Sequence, residues 1–293
     1  MNNKILVVDD SESSIEILVE LLGSDYDVLV ALDGETAIEI ANEDKPKIIL
    51  LDIVMPEING FEVCQRLKGS VCTKDIPIIF ITAKSDEESI EMAYDLGGID
   101  YVTKPFKSKE LLARVKTQIE LKNLITSLEY LSSHDTMTGI LNRRKFFELA
   151  ALNFNKKIEK QYSVMIDIDR FKNINDLFGH HMGDTVIKKI VNAIDSHVKE
   201  DTLFARLGGE EFVLFGQYDS KDSIYDEIEF IRKKIEDLEI YEDKGAKISV
   251  TISCGISFYN DKFTSIDELL KDADEALYEA KGQGRNKSII RNS

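Results

Sequence analysis

Arg206-Leu207-Gly208-Gly209-Glu210-Glu211-Phe212 lies between two short apolar runs, Thr202-Leu203-Phe204-Ala205 and Phe212-Val213-Leu214-Phe215. The pattern predicts a strand-to-strand turn that carries two glycines and two carboxylates. Adjacent carboxylates repel one another, and paired glycines let a backbone approach a ligand closely. A divalent cation or a phosphorylated ligand therefore suits the turn. A solvated hairpin tip accounts for the same seven residues, so the surrounding chain has to decide.

Upstream, Ser163-Val164-Met165-Ile166 reads as a buried strand that runs into Asp167-Ile168-Asp169, with Lys172 and Asn175 just beyond and the glycine-rich Gly179-His180-His181-Met182-Gly183-Asp184 next. Apolar residues at helical spacing (Val186, Ile187, Ile190, Ile194) lead back to the turn. Downstream, helices are expected over Asp222–Leu238 and Ile266–Lys281, with a strand over Ile248–Ser253 between them. Asn142 is placed to cap the helix through Phe146, Phe147 and Leu149. The order β-α-β-β-α-β predicts a ferredoxin-like palm. On such a sheet Asp167 stands beside the Glu210 hairpin, and two acids on neighbouring central elements suit a divalent-metal site.

The first 118 residues follow a different rule. Apolar runs (Ile5–Val8, Asp27–Ala31, Lys47–Leu51, Ile76–Ile81, Ile99–Val102) alternate with amphipathic segments such as Ser13–Leu22 and Glu35–Glu43. This predicts an α/β, doubly wound parallel five-stranded sheet of flavodoxin-like form, with its crevice at the carboxyl ends of the strands. Those ends carry Asp9-Asp10, Asp52, Thr82 and Lys104-Pro105. Three carboxylates converging on one crevice call for a hard cation, and Mg²⁺ is the expected one.

Between the halves, Leu121, Leu124, Leu128 and Leu131 are spaced three, four and three apart. That is the spacing of a coiled-coil seam, and a single connecting helix packed on its own domain is the alternative. No Gly/Ser or Pro-rich tether intervenes, so a stiff long helix is expected. The division expected is 1–118, a helical connector over 119–134, and 135–293.

Composition narrows the partners. The 293 residues carry a formal net charge of −17 with 43% hydrophobic and 31% charged residues, a globular balance. Such acidity disfavours nucleic acid as a partner, so any phosphate ligand has to be met by a few local cations and metal. No run of about 18 apolar residues occurs, and no export signal is read, so membrane insertion is not expected and the cytoplasm is. Cys64, Cys72 and Cys254 lie in or near apolar runs and read as buried free thiols in a reducing compartment.

The strand ends of the first half make it resemble a response-regulator receiver domain. The resemblance implies Asp52 as phosphoacceptor for a sensor histidine kinase, and Mg²⁺ held by Asp9, Asp10, Asp52 and the carbonyl of Val54. It further implies Lys104 and Thr82 at the phosphoryl oxygens and Tyr101 as an aromatic switch. The second half resembles the GGDEF domain of diguanylate cyclases, here with the variant Gly208-Gly209-Glu210-Glu211-Phe212. The match runs from Asp135 to about Lys287 and takes in Ser253-Cys254-Gly255-Ile256-Ser257 and Ala273-Asp274-Glu275-Ala276-Leu277-Tyr278.

That second resemblance implies Asp167, the carbonyl of Ile168, and Glu210 as Mg²⁺ ligands, with Glu211 close by. Lys172, Lys281 and Arg285 would contact the phosphates of GTP, Asn175 and Asp184 would read guanine, and Gly208-Gly209 would lie against the nucleotide. Asp184 favours GTP over ATP, because a carboxylate accepts from guanine N1–H and its amine but faces a lone pair on adenine. The activity implied is condensation of two GTP into cyclic di-GMP by a homodimer, with Glu210, Glu211 and Lys172 as the catalytic candidates. Lys199 and Thr202 stand where product-inhibited members carry Arg-x-x-Asp, so tight feedback through that element is not expected. A silent GTP-binding or partner-binding regulator, and a mixed purine cyclic dinucleotide synthase, are the alternatives.

Overall fold

The computed structural model describes residues 3–83, 87–156, 160–242, 245 and 247–291. The chain divides into two compact units, 1–127 and 128–293. In the first, strands β1 (Lys4–Val8), β2 (Asp27–Ala31), β3 (Ile48–Asp52), β4 (Ile78–Thr82) and β5 (Asp100–Thr103) alternate with helices α1 (Glu12–Leu22), α2 (Gly34–Asp44), α3 (Gly60–Gly69), α4 (Glu87–Asp95) and α5 (Ser108–Ser133). The sheet is parallel in the order β2-β1-β3-β4-β5.

Alternate side chains of β1 explain why both faces are covered. Ile5 and Val7 pack with Ile15, Leu18, Leu111 and Val115 from α1 and α5, whereas Leu6 and Val8 pack with Ala37, Ala41, Val63 and Leu67 from α2 and α3. Asp33 and Asn59 cap α2 and α3 by accepting from Thr36 N–H and Glu62 N–H at 2.8 and 3.0 Å. The strand order reverses between β1 and β3, where Val8 is level with Leu51, so Asp9 and Asp52 emerge side by side. α5 buries Leu111, Val115 and Ile119. Along its remaining length Leu121, Leu124, Leu128 and Leu131 are exposed.

The second unit contains β6 (Leu141–Asn142), α6 (Arg143–Phe154), β7 (Gln161–Ile168), α7 (Phe171–Phe178), α8 (His180–Asp195), β8 (Leu203–Gly208), β9 (Glu211–Gln217) and α9 (Lys221–Glu236). It continues with β10 (Ile240–Tyr241), β11 (Lys247–Ile248), β12 (Ile252–Phe258), α10 (Ile266–Gly282) and β13 (Ser288–Arg291). The large sheet runs β13-β12-β7-β9-β8-β6, with the expected palm as its four inner strands. Val164, Ile166 and Leu214 pack under α8 and α9, while Met165, Val213 and Phe215 pack under α6 and α10. Asn142 caps α6 by accepting from Lys145 N–H at 2.9 Å.

Two expectations need correction. The run Ile248–Ser253 is not one strand: Lys247–Ile248 pair with β10 in a separate two-stranded ribbon, and β12 begins at Ile252. The intervening Thr251 turns to Asp169, its carbonyl accepting from Asp169 N–H at 2.9 Å and its hydroxyl donating to Oδ2 at 2.7 Å. Periodicity does not reveal such a long-range polar demand. Of the cysteines, Cys64 and Cys254 are buried but Cys72 is exposed. It sits in the turn after α3, where the neighbouring apolar run ends. Burial pushes the Cys64 thiol up to about 11, away from thiolate chemistry.

Candidate active site

In the receiver unit, Asp9 and Asp52 are buried and Asp10 is exposed, and each offers an oxygen within 4.8 Å of the others. Lys104 Nζ lies 2.6 Å from Asp9 Oδ2 and 2.5 Å from Asp52 Oδ2. Burial works against the ammonium charge, but hydrogen bonds to Asp52 and Asp9 outweigh it and hold the lysine pKa above its ordinary value. The lysine follows β5 and is presented by a cis Lys104–Pro105 peptide, with its own N–H donating to the Thr82 carbonyl at 2.7 Å. Thr82 ends β4 and is buried. Val54 N–H donates to Asp52 Oδ1 at 3.1 Å. Half-buried Tyr101 meets Tyr94 edge to face at 6.1 Å. An all-oxygen donor set on rigid strand ends fits a hard divalent cation.

In the second unit, Asp167 occupies the end of β7, level with Glu211 on β9 and Ser253 on β12. Lys281, from the last turn of α10, sits 2.8 Å from Asp167 Oδ2. Burial raises the Asp167 pKa, Lys281 opposes that shift, and Glu210 and Glu211 add to it. Ile168 N–H donates to the Glu210 carbonyl at 3.3 Å, which ties the turn to the end of β7. Glu210 is half-buried and Glu211 exposed. Gly209 adopts φ +52, and a Cβ on Gly208 or Gly209 would meet nothing within 4 Å, so the turn is open above both glycines.

The remaining residues expected at the site lie on other elements of the same unit. Lys172 is exposed in the first turn of α7. Asn175 lies further along α7, and Asp184 lies half-buried in the first turns of α8. The two helices meet closely because position 183 is glycine: a Cβ there would stand 2.0 Å from Asn175 Oδ1. That Oδ1 is buried and has no hydrogen-bond partner among the described residues. Arg285 (φ +67) lines a cleft of about 450 Å³ together with Asp169, Arg170, Thr251, Gly284 and Asn286.

Three residues had no role in the sequence reading. Arg206 donates to the Gly209 carbonyl from Nε and Nη2 at 3.0 and 2.7 Å, and from Nη1 to Asp135 at 3.2 Å, clamping the turn to the segment before β6. Asp169 is the buried neighbour of the Asp167 strand end, and accepts from Thr251, Ser253 and Asn286. Arg170 shares the cleft with Arg285, and neither guanidinium has a side-chain hydrogen bond or ion pair among the described residues. Arg206 stood two residues before the signature, and Asp169 and Arg170 were visible as neighbours of Asp167 without any cue to their partners. Lys199 and Thr202 are engaged locally, with Asp219 at 3.2 Å and Tyr162 at 3.3 Å.

An acid crevice bridged by Lys104 stands at the strand ends of one sheet, and an acid- and glycine-bearing hairpin beside Asp167 stands on the other. Matching to family models agrees: residues 5–116 match the response regulator receiver domain and residues 132–287 the diguanylate cyclase GGDEF domain. The chain belongs to the GGDEF diguanylate cyclase family and carries a receiver domain ahead of that module. It is similar to the response regulator PleD of Caulobacter vibrioides, with 30% identity over 298 residues, 98% of this chain and 65% of PleD. Diguanylate cyclase A of Treponema denticola is 32% identical over 261 residues, 85% of this chain and 70% of that protein. The chain thus spans about two thirds of the length of these relatives. Among solved structures, the diguanylate cyclase SiaD of Pseudomonas aeruginosa, in complex with its activator SiaC, superposes with a TM-score of 0.52 at 28% identity, covering 70% of this chain and 78% of that one. The coiled coil and GGDEF domain of DgcB from Caulobacter crescentus shares the fold at a TM-score of 0.57 and 24% identity, covering 62% and 98%. Among the described residues no helix is long and apolar enough to cross a membrane.

Proposed function

We propose that this protein is a phosphorylation-controlled diguanylate cyclase that condenses two GTP into cyclic di-GMP and two pyrophosphates as a homodimer in the cytoplasm. The observation that carries the reading is the meeting of Asp167 with the Gly208–Glu211 turn beside Lys281, in a unit where Asn175 also keeps a buried acceptor unpartnered among the described residues. Residues 1–118 act as the input, 119–134 as the transmitting helix and 135–293 as the output.

In this reading Asp167, the Ile168 carbonyl and Glu210 would hold Mg²⁺, which would supply acidification of the attacking 3′-hydroxyl and charge compensation at the α-phosphate. Asn175 and Asp184 take the guanine edge and so exclude adenine. Lys172, Lys281 and Arg285 balance the triphosphate, and Arg170 adds a fourth cation at the same end. Glu210 and Glu211, on the turn, and water are the candidates to take the 3′ proton. The 3′-oxygen forms a bond to the α-phosphorus of the second GTP, the α–β bridging bond breaks, and pyrophosphate leaves; repeating the step closes the ring. Each domain binds one GTP, so two copies must face each other, and the exposed leucines of α5 would pair the chains.

At the receiver, the Asp52 carboxylate takes a phosphoryl group from a histidine kinase, with Mg²⁺ among Asp9, Asp10, Asp52 and the Val54 carbonyl. Lys104 and Thr82 meet the new oxygens, and Tyr101 follows Thr82. The test is purified protein with Mg²⁺ and GTP, with or without ATP, assayed before and after treatment with a small acyl phosphate. Cyclic di-GMP made faster after treatment, and not so by Asp52→Asn, is the expected result. Absence of any cyclic dinucleotide would leave a GTP-binding regulator.

A further inference from the structure

The turn that carries Arg285 is held in an unusual conformation. Gly284, Arg285 and Asn286 have φ of +109°, +67° and +48° in succession, and two of the three are not glycine. Side chains with a Cβ resist the left-handed region, so consecutive residues persist there only when their surroundings impose it.

The imposing contacts converge on Asn286. Its N–H donates to Asp169 Oδ2 at 3.0 Å, its Oδ1 accepts from Arg232 Nη1 at 2.6 Å, and its Nδ2 donates to Glu236 Oε1 at 2.9 Å. Arg232 projects from α9, an element that supplies none of the residues assigned to the nucleotide. It is buried and fixed in turn by Glu229, whose carboxylate accepts from Nε at 3.0 Å, and by Glu236, which accepts from Nη1 at 2.9 Å. Asp169 is immobilised by Thr251 and Ser253 hydroxyls, each at 2.7 Å. Asn286, the residue after Arg285, is therefore held from both sides, by Asp169 just past β7 and by Arg232 of α9.

We propose that Arg232 is a positioning residue for the cyclase reaction: acting through Asn286, it holds the backbone of Arg285 so that this guanidinium, with Arg170, faces the polyphosphate end of the nucleotide. Both guanidiniums line one cleft and, among the described residues, neither is committed to a carboxylate, the state needed to meet an anion. The inference rests on the assignment of Arg285 to the phosphates of GTP.

The test uses full-length protein with Mg²⁺ and compares Arg232→Met, Arg285→Ala and the double variant. Competition against a fluorescent guanine nucleotide gives affinities for GTP and for GMP. Arg285→Ala is expected to weaken GTP about tenfold and to leave GMP within about twofold; Arg232→Met should reproduce this pattern more weakly, and the double variant should be no worse than Arg285→Ala alone. Asn286→Gly keeps the left-handed backbone accessible while deleting both side-chain bonds, and should behave as Arg232→Met does if the latter folds poorly. Arg232→Lys should restore part of the loss. Equal weakening of GTP and GMP, or additive losses in the double variant, would overturn the positioning role. Unchanged GTP affinity in Arg285→Ala would instead remove the phosphate assignment and the proposal with it.

Discussion

Lys281 Nζ and Asp167 Oδ2 are 2.8 Å apart, joining the last turn of α10 to the end of β7 at the centre of the candidate site. Even with this partner the Asp167 pKa stays above its ordinary value of 3.8, because burial and the neighbouring Glu210 and Glu211 outweigh the lysine. The folded chain thus holds this proton more tightly than the unfolded chain does. The stabilising contribution is complete below about pH 3.8 and is lost as pH rises through the raised value.

Asp167→Asn is accordingly expected to abolish Mg²⁺-dependent turnover of GTP without lowering the melting temperature of the metal-free protein at pH 7. Its advantage over the parent should shrink as pH falls toward 4.5, a trend that thermal melts across this range would read. A clear loss of stability at pH 7 would mean that the Lys281 pair outweighs burial.

Arg206 closes the hairpin by holding the Gly209 carbonyl and Asp135 together. Lysine cannot span both acceptors with one planar fork, so Arg206→Lys should cut kcat/KM for GTP by about tenfold or more. Asp135→Asn should produce a smaller loss in the same direction, because the Gly209 contact survives. Steady-state pyrophosphate release measures both.

Gly183→Ala places a methyl 2.0 Å from Asn175 Oδ1 and forces the Asn175 amide out of its present position. Overpacking of this kind costs about 1–3 kcal/mol, here at the residues assigned to guanine. GTP affinity should fall while weak ATP binding is unaltered, as isothermal titration would show.

Lys104 spans Asp9 and Asp52. Lys104→Met leaves two buried carboxylates without their cation, so the metal-free receiver should melt at lower temperature and added Mg²⁺ should recover much of the loss. Acyl-phosphate labelling of Asp52 should fall sharply.

Much of the fold could be read because its strands are buried on both faces or end in acids. Ile5–Val8 and Lys47–Leu51 stand out as apolar runs broken by aspartate, and the observed β1 and β3 differ from them by one residue at the ends. Within the palm, β7 and the β8–β9 hairpin were equally legible. The break before Ile252 was not, because Val250, Thr251 and Ile252 favour a strand locally, and the demand that turns Thr251 away comes from Asp169, 82 residues earlier. The same limit hid Arg206, whose second partner Asp135 lies 71 residues away, and Arg232, whose link to Asn286 spans 54. Residue type and spacing flag groups that recur beside one another in the chain; they carry no trace of a polar side chain that acts across the fold.

Because Val8 and Leu51 are level in adjacent parallel strands, the separation of Asp9 and Asp52 is set by the ladder and not by the loops that follow. Length changes in the connections around β1 and β3 should leave the acid crevice intact. Deleting a single residue inside Ile48–Leu51 would turn every later side chain of that strand to the opposite face and take Asp52 out of reach of Lys104. The spacing of the two buried acids is therefore guarded by the count of residues within two short strands.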